Sequence, residues 1–133
     1  MKLIDSSAWI EYYRKEGNKE YKAFISDAIQ NNAAAVNDII CLEILVFTKT
    51  QSEYDDILSD FSALHHLELD DRVSQKASKI GFDLRRKGIT IPATDLIIAA
   101  SAIVADIELI HFDSHFTYIA EHYPIKMVGQ LKR

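Results

Sequence analysis

The sequence has little cysteine and little glycine. Its 133 residues include one cysteine, Cys41, and four glycines. A single thiol cannot form an internal disulfide or a multi-cysteine zinc site, and we expect Cys41 to pack within a helix. The glycines do not follow the spacing of a Walker-type motif, so the sequence offers no phosphate-binding loop of that kind.

Long apolar runs and an excess of basic residues are also missing. Apolar segments such as residues 95–104 are bounded by acids and are too short to span a bilayer. The N-terminus lacks a basic region followed by an apolar stretch, so a cytoplasmic protein is the expectation. The formal net charge of −5 argues against nucleic-acid binding by bulk electrostatics, although it is compatible with a metal-assisted enzyme. Basic residues cluster at 85–87 and at 132–133.

Length and composition are those of an ordinary globular protein. The hydrophobic fraction is 48% and the charged fraction is 26%, without low-complexity tracts or internal repeats. A chain of this length forms one domain with a real core. We therefore expect residues 1–133 to form a single domain.

Short apolar segments alternate with segments of helical periodicity. The predicted strands cover residues 2–5, 33–36, 65–69 and 108–112, with a last short strand after Pro124. The predicted helices cover residues 8–15, a segment between Asn18 and Asn31, residues 38–49, 51–63 and 70–87, a segment from 94 to about 105, and one from Asp113–Ser114. This alternation predicts a parallel sheet covered on both faces, with ligands at the carboxyl ends of its strands.

Four acids lie within or next to strongly apolar segments: Asp5, Glu43, Asp95 and Asp113. An ionised carboxylate in an apolar setting is costly unless a cation or several donors compensate it. Hard cations such as Mg²⁺ and Mn²⁺ take oxygen ligands, so a shared cation site explains all four acids. A bound divalent ion activates water and stabilises charge on a leaving oxygen, which points to hydrolysis of a phosphodiester.

Each acid also has a purely structural explanation. Asp5 and Asp113 stand where they cap a following helix, and Asp95 caps with Thr94 in the same way. Glu43 fits this alternative least well, because its neighbours are nearly all apolar. As a structural residue it is part of an exposed stripe on its helix.

The motifs around these acids resemble those of the PIN-domain ribonucleases, and specifically of the VapC-type toxins of bacterial and archaeal toxin–antitoxin modules. The resemblance covers the whole chain. The segments that carry it are Leu-Ile-Asp5-Ser-Ser-Ala-Trp-Ile-Glu, Asn37-Asp-Ile-Ile-Cys-Leu-Glu43-Ile-Leu, Ile89-Thr-Ile-Pro-Ala-Thr-Asp95-Leu-Ile-Ile-Ala-Ala-Ser-Ala and Glu108-Leu-Ile-His-Phe-Asp113-Ser-His-Phe. The third segment is the most specific of them.

This resemblance implies a three-layer α/β/α fold with a central parallel sheet of about four or five strands. It implies a Mg²⁺-dependent endoribonuclease, with Mn²⁺ as a substitute, that cleaves tRNA, rRNA or mRNA, forms homodimers and is inhibited by a VapB-like antitoxin. Asp5, Asp95 and Asp113 are implied metal ligands, and Glu43 completes the catalytic pocket. Ser6 is a candidate supporting hydroxyl.

The sequence departs from the family pattern at two histidines. His111 stands where the family often has Ser or Thr, and His115 stands where a further acid often follows. A neutral imidazole at position 115 is able to bind a metal or contact phosphate, but a structural role is the preferred interpretation. We also expect a core position for Trp9, and Arg85 and Arg86 are candidates for contact with phosphate or with an antitoxin carboxylate.

Three other interpretations compete with this one. A haloacid-dehalogenase-like phosphotransferase requires a second aspartate where this chain has Ser7, and a receiver-like domain requires a lysine after a late strand. A PIN fold without catalysis, serving only to hold a partner, is the remaining alternative. The presence of all four acids counts against it.

Overall fold

A computed structural model describes residues 1–128. The basic pair Lys132 and Arg133 therefore lies outside the described residues. The elements are β1 (Lys2–Ile4), α1 (Ser6–Tyr13), α2 (Lys19–Gln30), β2 (Ala34–Val36), α3 (Asp38–Leu45), α4 (Gln51–Ser62), β3 (His65–His66), α5 (Asp71–Arg86), α6 (Ala93–Ala105), β4 (Glu108–Ile110), α7 (Ser114–Ala120) and β5 (Met127–Val128).

The five strands form one parallel sheet in the order β3-β2-β1-β4-β5. The chain moves outward from β1 to β3, returns to β4 beside β1, and continues to β5 on the other side. Because such crossovers are right-handed, the helices before β3 and those after it cover opposite faces of the sheet. The predicted three-layer α/β/α fold is confirmed.

The pair β1 and β4 forms the centre of the sheet and the point at which strand order reverses. Leu3 pairs with Leu109 and Ile4 pairs with Ile110, and all four side chains are fully buried. The Asp5 N–H donates to the Ile110 carbonyl over 2.9 Å, which extends this pairing by one residue. The carboxyl ends of the two strands therefore lie side by side, at the edge where open α/β sheets bind ligands.

Local capping explains most helix starts. The Asn37 side chain accepts from the Ile40 N–H over 3.0 Å, and Asp70 accepts from the backbone N–H groups of Arg72 and Val73, so each side chain caps the helix that follows it. Gly88 follows α5 with a φ of +81°, a left-handed conformation that favours glycine after a helix.

Two predicted elements are shorter in the structure. Helix α3 ends at Leu45 rather than near Lys49, because the Phe47 and Thr48 amides bond back only three residues and the Thr48 hydroxyl donates to the Leu45 carbonyl over 2.7 Å. Strand β3 covers His65–His66 rather than residues 65–69. Its partner β2 stops at Val36 because Asn37 caps α3, so a last bond from the Leu67 N–H to the Val36 carbonyl ends the ladder.

The first helix packs into the core through Trp9, which is 1% exposed. Its ring contacts the rings of Tyr12, Tyr13 and Phe61 at centroid distances of 5.6, 5.8 and 5.1 Å. The expected core position of Trp9 is confirmed. Cys41 is half-buried against the same core. Within residues 1–128, no helix has both the length and the apolar character needed to cross a bilayer.

Candidate metal centre

The structure brings the four predicted acids to one edge of the sheet. Asp5 follows β1 and Asp113 follows β4, while Asp95 lies in the first turn of α6 and Glu43 projects from α3. Helix α3 packs on α1 and also meets α6, which joins the two faces of the sheet at this edge. The charges of Asp95 and Glu43 act on Asp5, and those of Asp95 and Asp113 act on Glu43. The acids thus form one electrostatic cluster.

Asp5 is the most buried member of the cluster, with 2% exposure. Its Oδ2 accepts from the Ser7 N–H over 3.1 Å and from the Ser7 hydroxyl, so it also caps α1. Its Oδ1 is buried and has no hydrogen-bond partner among the described residues. Burial raises the pKa of Asp5 to about 7. The hydrogen bonds from Ser7 lower this pKa, and the charges of Asp95 and Glu43 raise it.

The Ser7 hydroxyl links the ends of the two central strands. Its Oγ donates to Asp5 and accepts from the Phe112 N–H over 2.9 Å. Sequence reasoning singled out Ser6 instead, and the Ser6 hydroxyl donates to Glu43 Oε1 over 3.1 Å. Both serines therefore support an acid of the cluster, and the direction of each hydroxyl depends on its position around α1.

Glu43 is half-buried, and its neighbours Leu42 in α3 and Val46 and Phe47 just after α3 expose their apolar side chains. Desolvation raises the pKa of Glu43, and the charges of Asp95 and Asp113 raise it further, although the Ser6 hydroxyl opposes the shift. The alternative of a solvated stripe does not fit a carboxyl group with these surroundings.

Asp95 does not cap its helix. The residue before α6 is Pro92, which provides no side-chain cap, and Asp95 lies within the first turn with its side chain 14% exposed. The structural alternative for Asp95, a cap with Thr94, is therefore wrong. Desolvation raises the pKa of Asp95, the hydrogen bond from His115 lowers it, and the charge of Asp113 raises it.

Asp113 caps α7 and also joins the cluster. Its Oδ1 accepts from the His115 N–H over 2.9 Å. The His115 ring turns back over this cap, so that Nδ1 lies 2.7 Å from Asp95 Oδ2 and 3.2 Å from Asp113 Oδ1. One ligand atom from each of these three residues lies within 4.8 Å of the other two. The preferred structural interpretation of His115 did not anticipate this contact, which depends on how α6 and α7 pack.

His111 has a different position. Its side chain is buried, its Nδ1 accepts from the Asp113 N–H over 3.3 Å, and its Nε2 lies 2.9 Å from the Met127 sulfur. These contacts tie the backbone of Asp113 to β5. His111 therefore has a structural role, because it fixes the backbone of Asp113.

Arg86, one of the two arginines before the third acid, faces a separate cavity. The Arg86 guanidinium lies over the Phe82 ring at 5.0 Å, and Arg86 lines a cavity of about 480 Å³ with Asp83, Lys87, His122 and Tyr123. Within residues 1–128, neither Arg85 nor Arg86 pairs with an acid of the cluster.

Comparison with known proteins assigns this arrangement to a family. A family model described as the PIN domain matches residues 2–122. The chain belongs to the PIN-domain family. Its sequence is 31% identical over 125 residues to VapC ribonuclease Mb1587 of Mycobacterium bovis and to ribonuclease VapC11 of Mycobacterium tuberculosis, covering 90% of this chain and 92% of each relative.

Solved structures support the PIN fold independently. VapBC2 from Rickettsia felis, bound to a DNA fragment from their promoter, matches with a TM-score of 0.76 at 19% identity, over 96% of each chain. At this identity the match concerns the fold alone. The two sequence relatives confirm the predicted resemblance to VapC-type PIN domains.

The acid cluster of this PIN domain suits a divalent cation. No lysine or arginine of the described chain forms an ion pair with any of the four acids. A fully buried carboxylate oxygen without a donor and three raised carboxyl pKa values indicate uncompensated negative charge. Carboxylate oxygens with one imidazole nitrogen are a suitable donor set for such an ion.

Proposed function

We propose that this chain is a divalent-metal-dependent endoribonuclease, the toxin of a type II toxin–antitoxin system. The main support is the convergence of Asp5, Glu43, Asp95 and Asp113 beside the central strands. Among the described residues, no lysine or arginine pairs with any of these four acids. The relatives named VapC ribonucleases support the reaction class.

The proposed ligands of the ion are Asp5, Asp95 and Asp113. We take Mg²⁺ as the ion, with Mn²⁺ as a substitute, because both prefer carboxylate oxygens. When bound, the ion supplies a water of lowered pKa and offsets charge on the phosphodiester. Hydrolysis of the phosphodiester transfers a water oxygen to phosphorus as the bridging oxygen leaves.

The remaining side chains hold these groups in place. Glu43, oriented by the Ser6 hydroxyl, positions the attacking water and accepts its proton. Ser7 fixes the Asp5 carboxylate against the end of β4, and the cap of α7 fixes Asp113. Rigid elements thus set the geometry of a site that has to bind a strongly hydrated ion.

The proposal extends to partners. The RNA substrate belongs to the tRNA, rRNA or mRNA of the cytoplasm, a VapB-like antitoxin neutralises the enzyme, and the toxin itself is a homodimer in which residues 1–133 form one domain. Light scattering of the purified chain, alone and with the antitoxin, measures both assemblies.

Cleavage of total RNA by the antitoxin-free protein tests the activity. We expect discrete fragments with Mg²⁺ or Mn²⁺, none with EDTA, and none with Asp95→Asn. Asp106→Asn is the matched control, because it makes the same change at the other end of α6, where the side chain is 81% exposed and pairs with Lys126. Its left-handed φ of 54° is tolerated by Asn.

The result also separates catalysis from partner binding. Intact RNA under every condition, together with an absence of Mn²⁺ binding by calorimetry, contradicts the nuclease and supports a PIN fold that only holds a partner. Cleavage that survives in Asp95→Asn contradicts the assignment of the site.

A further inference from the structure

His115 holds a position between two of the proposed metal ligands. It is the second residue of α7, and its backbone N–H is bound to the Asp113 side chain over 2.9 Å. Its Nδ1 lies 2.7 Å from Asp95 Oδ2 and 3.2 Å from Asp113 Oδ1. The ring is thus oriented by contacts from two helices, α6 and α7.

These distances suit a shared ion as well as a hydrogen bond. Neighbouring ligands of an octahedral ion with bonds of about 2.1 Å lie about 3.0 Å apart. The two separations from Nδ1 fall on either side of that value. The side chain is 36% exposed, so the imidazole has room to adjust when an ion arrives.

We propose that His115 Nδ1 is a ligand of the same divalent ion as Asp95 and Asp113. The inference rests on the proposed metal-dependent function, which by itself uses only carboxylates. In the metal-free protein, the same nitrogen bridges the two carboxylates. Nδ1 carries a proton when it donates there. To ligate the ion through its lone pair, Nδ1 loses that proton to solvent, and the neutral ring holds its one proton on Nε2.

A nitrogen ligand changes the preferred metal. Mg²⁺ takes oxygen ligands almost exclusively, whereas imidazole also suits transition ions, and affinity rises along the first transition row from Mn²⁺. The proposal therefore predicts that this site favours Mn²⁺ over Mg²⁺ by more than a site of carboxylates alone.

Electron spin echo measurements on the Mn²⁺-loaded wild-type protein test the bond directly. We expect a nitrogen coupling that changes when the five histidines are labelled with ¹⁵N and that disappears in His115→Ala. The matched control is His122→Ala, which removes an exposed histidine whose Nδ1 lies 3.3 Å from Lys87 Nζ. We expect this variant to retain the nitrogen coupling.

Calorimetry with each ion supplies the second readout. Removal of a group that only hydrogen-bonds to a metal ligand already lowers metal affinity about 10–100-fold. We therefore expect His115→Ala, which removes a ligand itself, to lower the affinity for Mn²⁺ by at least about tenfold. The affinity for Mg²⁺ falls less than the affinity for Mn²⁺, so the Mn²⁺/Mg²⁺ affinity ratio decreases. His115→Asp replaces nitrogen by oxygen and shifts the ratio further towards Mg²⁺.

The outcomes distinguish this inference from the proposed function. Bound Mn²⁺ without histidine coupling overturns the role of His115 while RNA cleavage still supports the nuclease. Absence of Mn²⁺ binding overturns the role of His115, and together with intact RNA under every condition it overturns the nuclease as well. Because the labelling experiment uses the wild-type chain, it remains decisive even if a variant fails to fold.

Discussion

The buried Asp5 carboxyl makes the metal-free protein sensitive to pH. Its pKa rises from 3.8 to about 7 in the folded chain because burial disfavours the charged form. The folded state therefore holds this proton more tightly than the unfolded state. Its stabilising effect is fully present below the unfolded pKa and is lost as the pH rises through the folded pKa.

The magnitude follows from the shift. A difference of roughly 3 pKa units at 1.36 kcal/mol each is about 4 kcal/mol, of which about 2–3 kcal/mol is lost between pH 5 and pH 8. Asp5→Asn removes the ionisation but keeps an oxygen to accept from Ser7. We expect this variant to be more stable than the wild type at pH 8, by up to about 4 kcal/mol, although it loses activity.

Urea unfolding in EDTA measures this difference through Trp9, the single tryptophan, which is 1% exposed in the folded state. The measurement compares Asp5→Asn with wild type at pH 5 and pH 8, and Asp106→Asn is the control at an exposed position. Parallel pH profiles for wild type and Asp5→Asn refute the reasoning. Saturating Mn²⁺ restores the wild type at pH 8, by about 2.7 kcal/mol at one hundred times its Kd.

Two further substitutions test the support of the site and the packing away from it. Ser7→Ala removes the hydroxyl between Asp5 and the Phe112 N–H, and we expect the free energy of unfolding to fall by about 1–3 kcal/mol with weaker Mn²⁺ binding; unchanged binding contradicts a positioning role. Gly17→Ala places a Cβ 1.8 Å from the Glu11 carbonyl oxygen. We therefore expect the free energy of unfolding, measured in urea, to fall by at least about 2 kcal/mol, while the affinity for Mn²⁺ stays unchanged. Wild-type stability in that variant contradicts the close packing of this loop.

The strand and helix order was predictable because each element carries its own local signal. Apolar strand segments, the cap at Asn37 and the glycine after α5 appear in the sequence without reference to the fold. The length of β3 was not predictable in this way. It depends on where its partner strand β2 ends. Strand β2 ends at Val36 because the next residue, Asn37, begins a helix, and this signal lies far in sequence from β3.

The candidate site was predictable in its acids but not in its supporting groups. Strand order places Asp5 beside Asp113, and a carboxylate in an apolar segment is recognisable from the sequence. The choice between Ser6 and Ser7 depends on the rotation of α1, which periodicity alone does not fix for a helix of eight residues. The contact of His115 with Asp95 depends on the packing of α7 against α6, so no local pattern reports it.

The cost of the acid cluster is reduced by the helices around it. Asp5 and Asp113 cap α1 and α7, and Asp95 lies in the first turn of α6, so three helix N-termini direct their positive ends at this edge. Each such end contributes about 0.3–1 kcal/mol at exposed positions, which is small beside the roughly 4 kcal/mol needed to ionise Asp5. Helix ends alone therefore leave the site under-compensated at neutral pH. The proposed divalent cation supplies the positive charge that the helix ends do not, so its binding stabilises the folded protein.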